Sequence, residues 1–138
     1  MKRSYILFLL LFFFACSSHV AKEPPVAKTV HLTIQATPRQ GLSPLRVSFH
    51  ALLTGIDEHD QQYYCMKEEW DFGDGAVSSE SNQCPPFSFD TKISTEFFVE
   101  HLYNNVGNYT IYFTLGDHRI RSNNTTVNVV ASRTPTTN

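Results

Sequence analysis

The sequence has no apolar run long enough to cross a bilayer as a helix, which needs about twenty residues. The longest apolar run covers residues 5–15, and it follows the basic residues Lys2 and Arg3. A short apolar run after a basic start is typical of a secretory signal peptide. We therefore expect residues 1–15 to direct export and to be removed from the mature protein.

Basic residues are also too few to form a surface for nucleic acid. The chain has 11 Lys and Arg against 13 Asp and Glu, and removing Lys2 and Arg3 leaves 9 against 13, a net charge of −4. Proteins that bind nucleic acid neutralise its phosphates with clustered lysine and arginine. Nucleic acid is therefore not expected among the partners.

Motifs for catalysis and cofactor binding are absent from the sequence. It contains no Gly-x-Ser-x-Gly, no Walker loop and no dinucleotide fingerprint. Its six histidines lack the spacing of zinc ligands. Asp57, Glu58 and Asp60 form an acidic cluster that would attract calcium, although it lacks the spacing of a calcium loop. We expect no enzyme activity, no transition metal and no cofactor, with calcium left as an alternative.

Cysteine is scarce, and the first of the three cysteines lies directly after the apolar run. Ala15-Cys16 at this place resembles the bacterial lipoprotein signal. The resemblance implies cleavage before Cys16, diacylglycerol on its sulfur and acylation of the new amino terminus, and several acyl chains anchor a protein firmly. An aspartate directly after the cysteine would resemble an inner-membrane retention signal. This chain has Ser17 there instead, which favours an outer membrane or the cell surface. The alternative is ordinary signal cleavage nearby, with Cys16 discarded.

Cys65 and Cys84 remain as a pair once Cys16 is assigned to the lipid. Disulfides persist in oxidising compartments, where exported proteins fold. A metal site would need more ligands near these two cysteines than the sequence provides. We therefore predict a disulfide between Cys65 and Cys84.

The body of the chain lacks helical periodicity and alternates apolar with polar residues instead. This period of two indicates half-buried strands. The stretches that follow it are residues 30–36, 47–49, 70–72, 109–115 and 127–129. Several short strands separated by turn residues predict an all-β antiparallel sandwich. We assign a tether to residues 16–28, the sandwich domain to residues 29–131 and a flexible tail to residues 132–138.

Motifs in this body resemble, in order, the pattern of the PKD (polycystic kidney disease) domain family. They are Pro-Leu-Arg-Val-Ser-Phe from residue 44, Trp-Asp-Phe-Gly-Asp-Gly from residue 70, His-Leu-Tyr from residue 101 and Gly-Asn-Tyr from residue 107. The resemblance implies an immunoglobulin-like β-sandwich of about seven strands. It also implies an extracellular, non-catalytic binding or spacer module. The residues that carry the family motif, in a structural role, are Trp70, Asp71, Phe72, Gly73, Asp74, Gly75, His101, Tyr103, Gly107 and Tyr109.

The hexapeptide at residues 70–75 contains two carboxylates, which raises the question of an acid/base pair. Trp70 and Phe72 share a strand parity, so both rings can enter the core while Asp71 points outwards. The glycines then permit a turn in which Asp74 accepts hydrogen bonds from local backbone amides. An acid/base pair needs carboxylates that face one cleft. We interpret the motif as architectural and expect His101 to hydrogen-bond a neighbouring turn.

The chain departs from the family pattern in two enlarged loops, residues 54–69 and residues 76–100. A bond between Cys65 and Cys84 would join these loops. Rigid aromatic residues on ordered loops are typical of interfaces. The four aromatics that form the candidate binding face are Tyr63, Tyr64, Phe87 and Phe89. The alternative is that the two phenylalanines cover an exposed sheet edge.

These observations predict a lipid-anchored, non-catalytic binding module of the cell envelope. Its expected partners are an envelope protein or glycan, and the membrane through the lipid anchor. The alternative is a purely structural spacer or assembly component of an envelope complex. A small secreted enzyme is the least favoured interpretation.

Overall fold

Alternation of apolar and polar residues produces two β-sheets that pack face to face. The computed structural model describes residues 29–117 and 119–132, so the predicted signal peptide, Cys16, the tether and residues 133–138 of the tail lie outside the described residues. The strands of the described residues are β1 (His31–Thr37), β2 (Gln40–Leu42), β3 (Leu45–Thr54), β4 (Glu68–Asp71), β5 (Val77–Glu80), β6 (Glu96–Tyr103), β7 (Gly107–Leu115), β8 (Ile120–Arg121) and β9 (Thr125–Val130).

The first sheet is antiparallel and has the order β1-β3-β6. The second has the order β2-β9-β7-β4-β5, with β8 paired to β7. All its pairs are antiparallel except β2 with β9, which is parallel. A 3₁₀ turn at Gln61–Tyr63 lies between β3 and β4. Within the described residues, no helix is long and apolar enough to cross a membrane.

The core lies between the sheets and is aromatic at its centre. Trp70 is only 3% exposed, and its ring centroid lies 4.1 Å from that of Phe113 and 6.3 Å from that of Phe49. Strand β1 buries every second residue, in agreement with its sequence pattern. Burial of these large side chains supplies most of the favourable free energy of folding.

The predicted immunoglobulin-like sandwich is confirmed, with two differences in detail. Nine strands form within the described residues instead of about seven, because β2 and β8 are too short to show alternation. The predicted loop at residues 76–100 also contains β5 and the first part of β6, so the loop itself covers residues 81–95. Adjacent Phe97 and Phe98 conceal the alternation in β6, although Phe97 is buried and Phe98 is 68% exposed.

The two ends of the sandwich carry different parts of the chain. At the N-terminal end, β1 begins beside the end of β3, since His31 pairs with Thr54. The long loops 55–67 and 81–95 lie at this end, because they follow the ends of β3 and β5. At the opposite end lie the turns at residues 43–44, 72–76 and 104–106, together with the end of β9.

Candidate binding surface

The turn at residues 72–76 is held by the two aspartates of the hexapeptide. Asp71 Oδ1 accepts a hydrogen bond from the Gly73 N–H at 2.9 Å, and Asp74 Oδ1 accepts one from the Ala76 N–H at 3.0 Å. Gly73 has a φ of 76°, and a Cβ there would lie 2.5 Å from the Thr110 carbonyl oxygen. A side chain is therefore excluded at this position. Both carboxylates bind backbone amides, which supports an architectural role for the motif.

His101 and Tyr103 attach the same turn to strand β6. His101 Nε2 lies 2.7 Å from Asp74 Oδ2, and its ring stacks on Phe72 at 4.1 Å between centroids. Tyr103 is fully buried and donates its hydroxyl to the Phe72 carbonyl at 3.0 Å, while its ring stacks on Tyr109. The other motif residues at this end are Gly75, in the turn, and Gly107, which begins β7.

The electrostatics of this turn keep its hydrogen bonds in one arrangement. Burial, the largest single influence, raises the pKa of Asp74. The hydrogen bonds from His101 and the Ala76 N–H, with the charge of His101, outweigh it, so the pKa of Asp74 lies below its ordinary value. Burial and then the charge of Asp74 raise the pKa of Tyr103, so its hydroxyl stays protonated and donates. Fixed donors and acceptors therefore hold the turn.

A disulfide between Cys65 and Cys84 joins the two long loops, as the sequence predicts. We call residues 55–67 and 81–95 the cap. Cys65 has a φ of 54°, in the left-handed region that residues with a side chain rarely adopt. The bond holds the two loops of the cap together, and one of its two cysteines has an uncommon backbone conformation.

Other contacts attach the cap to the sandwich and join its two loops to each other. Ile56 and Ile93, one from each loop, are buried in the core. The Tyr64 hydroxyl donates to the Pro85 carbonyl at 2.7 Å, which links the loops a second time. The cap is therefore a packed part of the domain.

Cys65 and Cys84 help to line a cavity of about 80 Å³. Glu68 and Asn82 contribute to its lining, and the Asn82 amide donates to Glu68 Oε1 at 3.3 Å. Burial and then the nearby charge of Glu80 raise the pKa of Glu68, partly offset by the Asn82 hydrogen bond. Small-molecule sites usually have volumes of roughly 300–1,000 Å³. This cavity is therefore too small for an organic ligand.

The four aromatics of the candidate binding face separate into two groups. Tyr63, Tyr64 and Phe87 are partly buried and pack against the core, with the Tyr64 and Phe87 rings 5.3 Å apart. Phe89 is 80% exposed and stacks on His59, with 5.1 Å between the ring centroids and the two ring planes almost parallel. The His59–Phe89 pair was not predicted, because no sequence pattern connects a residue in one loop with a residue in another.

The acidic cluster in the cap is engaged in local turns. Asp57 Oδ1 accepts from the His59 N–H at 3.0 Å. Asp60 is the N-cap residue of the 3₁₀ turn, and its Oδ1 accepts from the Gln62 N–H at 3.1 Å. Among residues 29–117 and 119–132, no group of three or more His, Cys, Asp or Glu is placed to hold a metal ion. The prediction of no cofactor, with calcium as the alternative, stays a prediction.

The strand order, the aromatic core and the hydrogen-bonded turn define an immunoglobulin-like β-sandwich module. The family model of the PKD domain matches residues 31–130, and the chain belongs to this family. PKD domains are generally extracellular and non-catalytic, a setting that the disulfide fits.

One solved structure similar to this chain is the PKD domain of an M14-like peptidase from Thermoplasmatales archaeon SCGC AB-540-F20. The TM-score is 0.47 and the sequence identity 13%, and the match covers 75% of this chain and 94% of that chain. No curated protein sequence matches the chain.

Proposed function

We propose that this chain is a lipid-anchored, non-catalytic PKD module of the cell envelope, on the outer membrane or the cell surface. It binds an envelope protein or glycan through the tip of the cap, formed by His59 and Phe89. The exposure of Phe89 carries this proposal, because 80% of the residue is open to solvent on a loop that a disulfide holds in place. Exposed aromatic rings on ordered loops serve as anchors in interfaces, and a preformed loop loses little entropy on binding.

The position of the cap relative to the predicted anchor supports a partner near the same membrane. The cap lies at the N-terminal end of the sandwich, where the predicted tether enters β1. Residues 17–28 span at most about 40 Å when fully extended. A chain anchored through Cys16 would therefore keep the start of the domain, at residue 29, within about that distance of the membrane.

A structural spacer is the second candidate, and the other aromatics of the candidate face favour it. Tyr63, Tyr64 and Phe87 pack against the core and cover the end of the sandwich. In the binding proposal these three side chains support the loop, and Phe89 makes the contact. In the spacer alternative, the cap has no ligand.

Phe89→Ala distinguishes these two candidates. We expect it to weaken capture of the envelope partner at least tenfold, about 1.4 kcal/mol, with stability changed by no more than about 0.5 kcal/mol. Capture is measured on the purified protein against envelope protein and glycan fractions. The matched control is Phe98→Ala, since Phe98 is also exposed but lies on the outer face of the first sheet. Equal capture by both variants and the unchanged protein would support the spacer.

A further inference from the structure

The outer face of the second sheet contains a groove on a different surface from the cap. Its volume is about 330 Å³, within the range of roughly 300–1,000 Å³ that is usual for ligand sites. Strand register places Glu69 opposite Thr114 and Asp71 opposite Tyr112, and pairs Thr114 with Arg121. These five residues line the groove.

One wall of the groove presents acceptors that are held in position. Asp71 and Glu69 alternate with the buried Trp70 on β4, so both carboxylates lie on the outer face. The backbone N–H of Gly73 holds Asp71 through Oδ1, and Lys67 Nζ lies 3.5 Å from Glu69 Oε2. The carboxylates are therefore preset as acceptors on one side of the groove.

The other wall presents donors that are held in position as well. The guanidinium carbon of Arg121 lies 3.9 Å from the centroid of the Tyr112 ring. Such stacking fixes the plane of the guanidinium and leaves N–H donors at its edge. Arg121 is the cation that lines the groove, and Lys67 adds a second cation beside Glu69.

We propose that this groove binds a short stretch of an uncharged, polyhydroxylated chain, a neutral glycan segment. The carboxylates of Asp71 and Glu69 would repel an anionic chain, and the guanidinium of Arg121 would repel a cationic chain. A hydroxyl group both donates and accepts, so the hydroxyl groups along a short glycan segment can pair with both walls. The inference goes beyond the proposed function, because the groove shares no residue with the tip of the cap.

Binding of defined oligosaccharides to the purified protein tests this proposal. The neutral probes are hexamers of β-1,4-linked glucose and of β-1,4-linked N-acetylglucosamine. The charged probes are oligogalacturonate and oligochitosan, and a glycine–serine peptide represents an uncharged extended chain. We expect a neutral hexamer to bind with a millimolar or lower dissociation constant and to shift the amide resonances of Tyr112 and Arg121. Arg121→Ala and Asp71→Asn should each weaken this binding at least tenfold.

Two controls separate the groove from the rest of the domain. Arg46→Ala removes an exposed arginine from the first sheet and should leave binding unchanged. Phe89→Ala should also leave it unchanged, so loss of cap binding and loss of groove binding are distinguishable. The proposal is overturned if neither neutral hexamer binds or if a charged probe or the peptide binds more tightly. Binding by Arg121→Ala and Asp71→Asn as tight as that of the unchanged protein overturns it as well.

Discussion

Asp74 contributes to the fold through both its carboxylate oxygens. One oxygen accepts from the Ala76 N–H, and the other lies 2.7 Å from His101 Nε2. These contacts favour the ionised carboxylate and lower the pKa of Asp74 in the folded state, against the effect of burial. A lowered folded pKa adds stability above the unfolded value of about 3.9, and this stability is lost as pH falls through the folded pKa.

We therefore predict that the free energy of unfolding of the Asp74→Asn variant depends less on pH in the acidic range than that of the unchanged protein. The variant should be less stable than the unchanged protein at pH 7, and this difference should shrink between about pH 5 and about pH 2. Urea unfolding at a series of pH values measures it. Asp90→Asn, in an exposed part of the cap, is the control. A difference that stays constant over this pH range would show that the carboxylate charge is not responsible.

At the scale of elements, the sequence predicts those strands whose alternation is long and uninterrupted. Strand β1 shows this clearly, since Leu32, Ile34 and Ala36, the apolar members of the alternating stretch 30–36 that lie in the strand, are buried. Strand β2 owes its place to parallel pairing with β9, and β8 owes its place to β7. Three or fewer residues cannot show a period of two. Pairing with a distant strand, which local sequence does not encode, decides such elements.

The candidate sites follow the same rule. The disulfide was predictable, because cysteine chemistry and compartment restrict the partners of Cys65. The His59–Phe89 pair and the stacking of Arg121 on Tyr112 depend on loop packing and strand register instead. Neither leaves a pattern along the chain.

The disulfide should contribute more to the cap than to the sandwich. Its sequence separation of 19 gives a loop-closure contribution of about 3 kcal/mol. Replacing both cysteines, Cys65→Ser with Cys84→Ser, should lower the unfolding free energy by that amount or less. Ile56 and Ile93 still anchor the cap, so the β-type circular dichroism should remain at 25 °C.

Reduction of the unchanged protein is the matched control for this double variant. It should give the same decrease in unfolding free energy, measured by urea denaturation. Complete loss of β structure at 25 °C in either sample would contradict the account, because most core residues come from the strands of the sandwich.

At the scale of the whole molecule, the chain enters and leaves the sandwich at opposite ends. Strand β1 begins beside the cap, whereas β9 ends beside β2 at the opposite end. An anchor at Cys16 would therefore be attached to the end of the sandwich that carries the cap, and not to the end that carries the turn at residues 72–76.

The anchor itself is tested by replacing the predicted lipid site. Cys16→Ser should move the protein from the membrane fraction to the soluble fraction, because in the proposed anchor Cys16 would carry all the acyl chains. Ser17→Ala is the control and should leave the protein in the membrane fraction. Mass spectrometry should find an acylated amino-terminal cysteine in the unchanged protein. An unmodified mature chain that begins at another residue would refute the anchor.

The most direct test of the central claim, that the tip of the cap contacts an envelope partner, is photo-cross-linking in intact cells. A photoreactive phenylalanine analogue at position 89 keeps an aromatic ring at the tip, and the same analogue at position 106 reports on the opposite end, where Val106 is exposed. We predict one dominant adduct, with an envelope protein or glycan, from position 89 and little from position 106. No adduct from position 89, or equal adducts from both positions, would contradict the account.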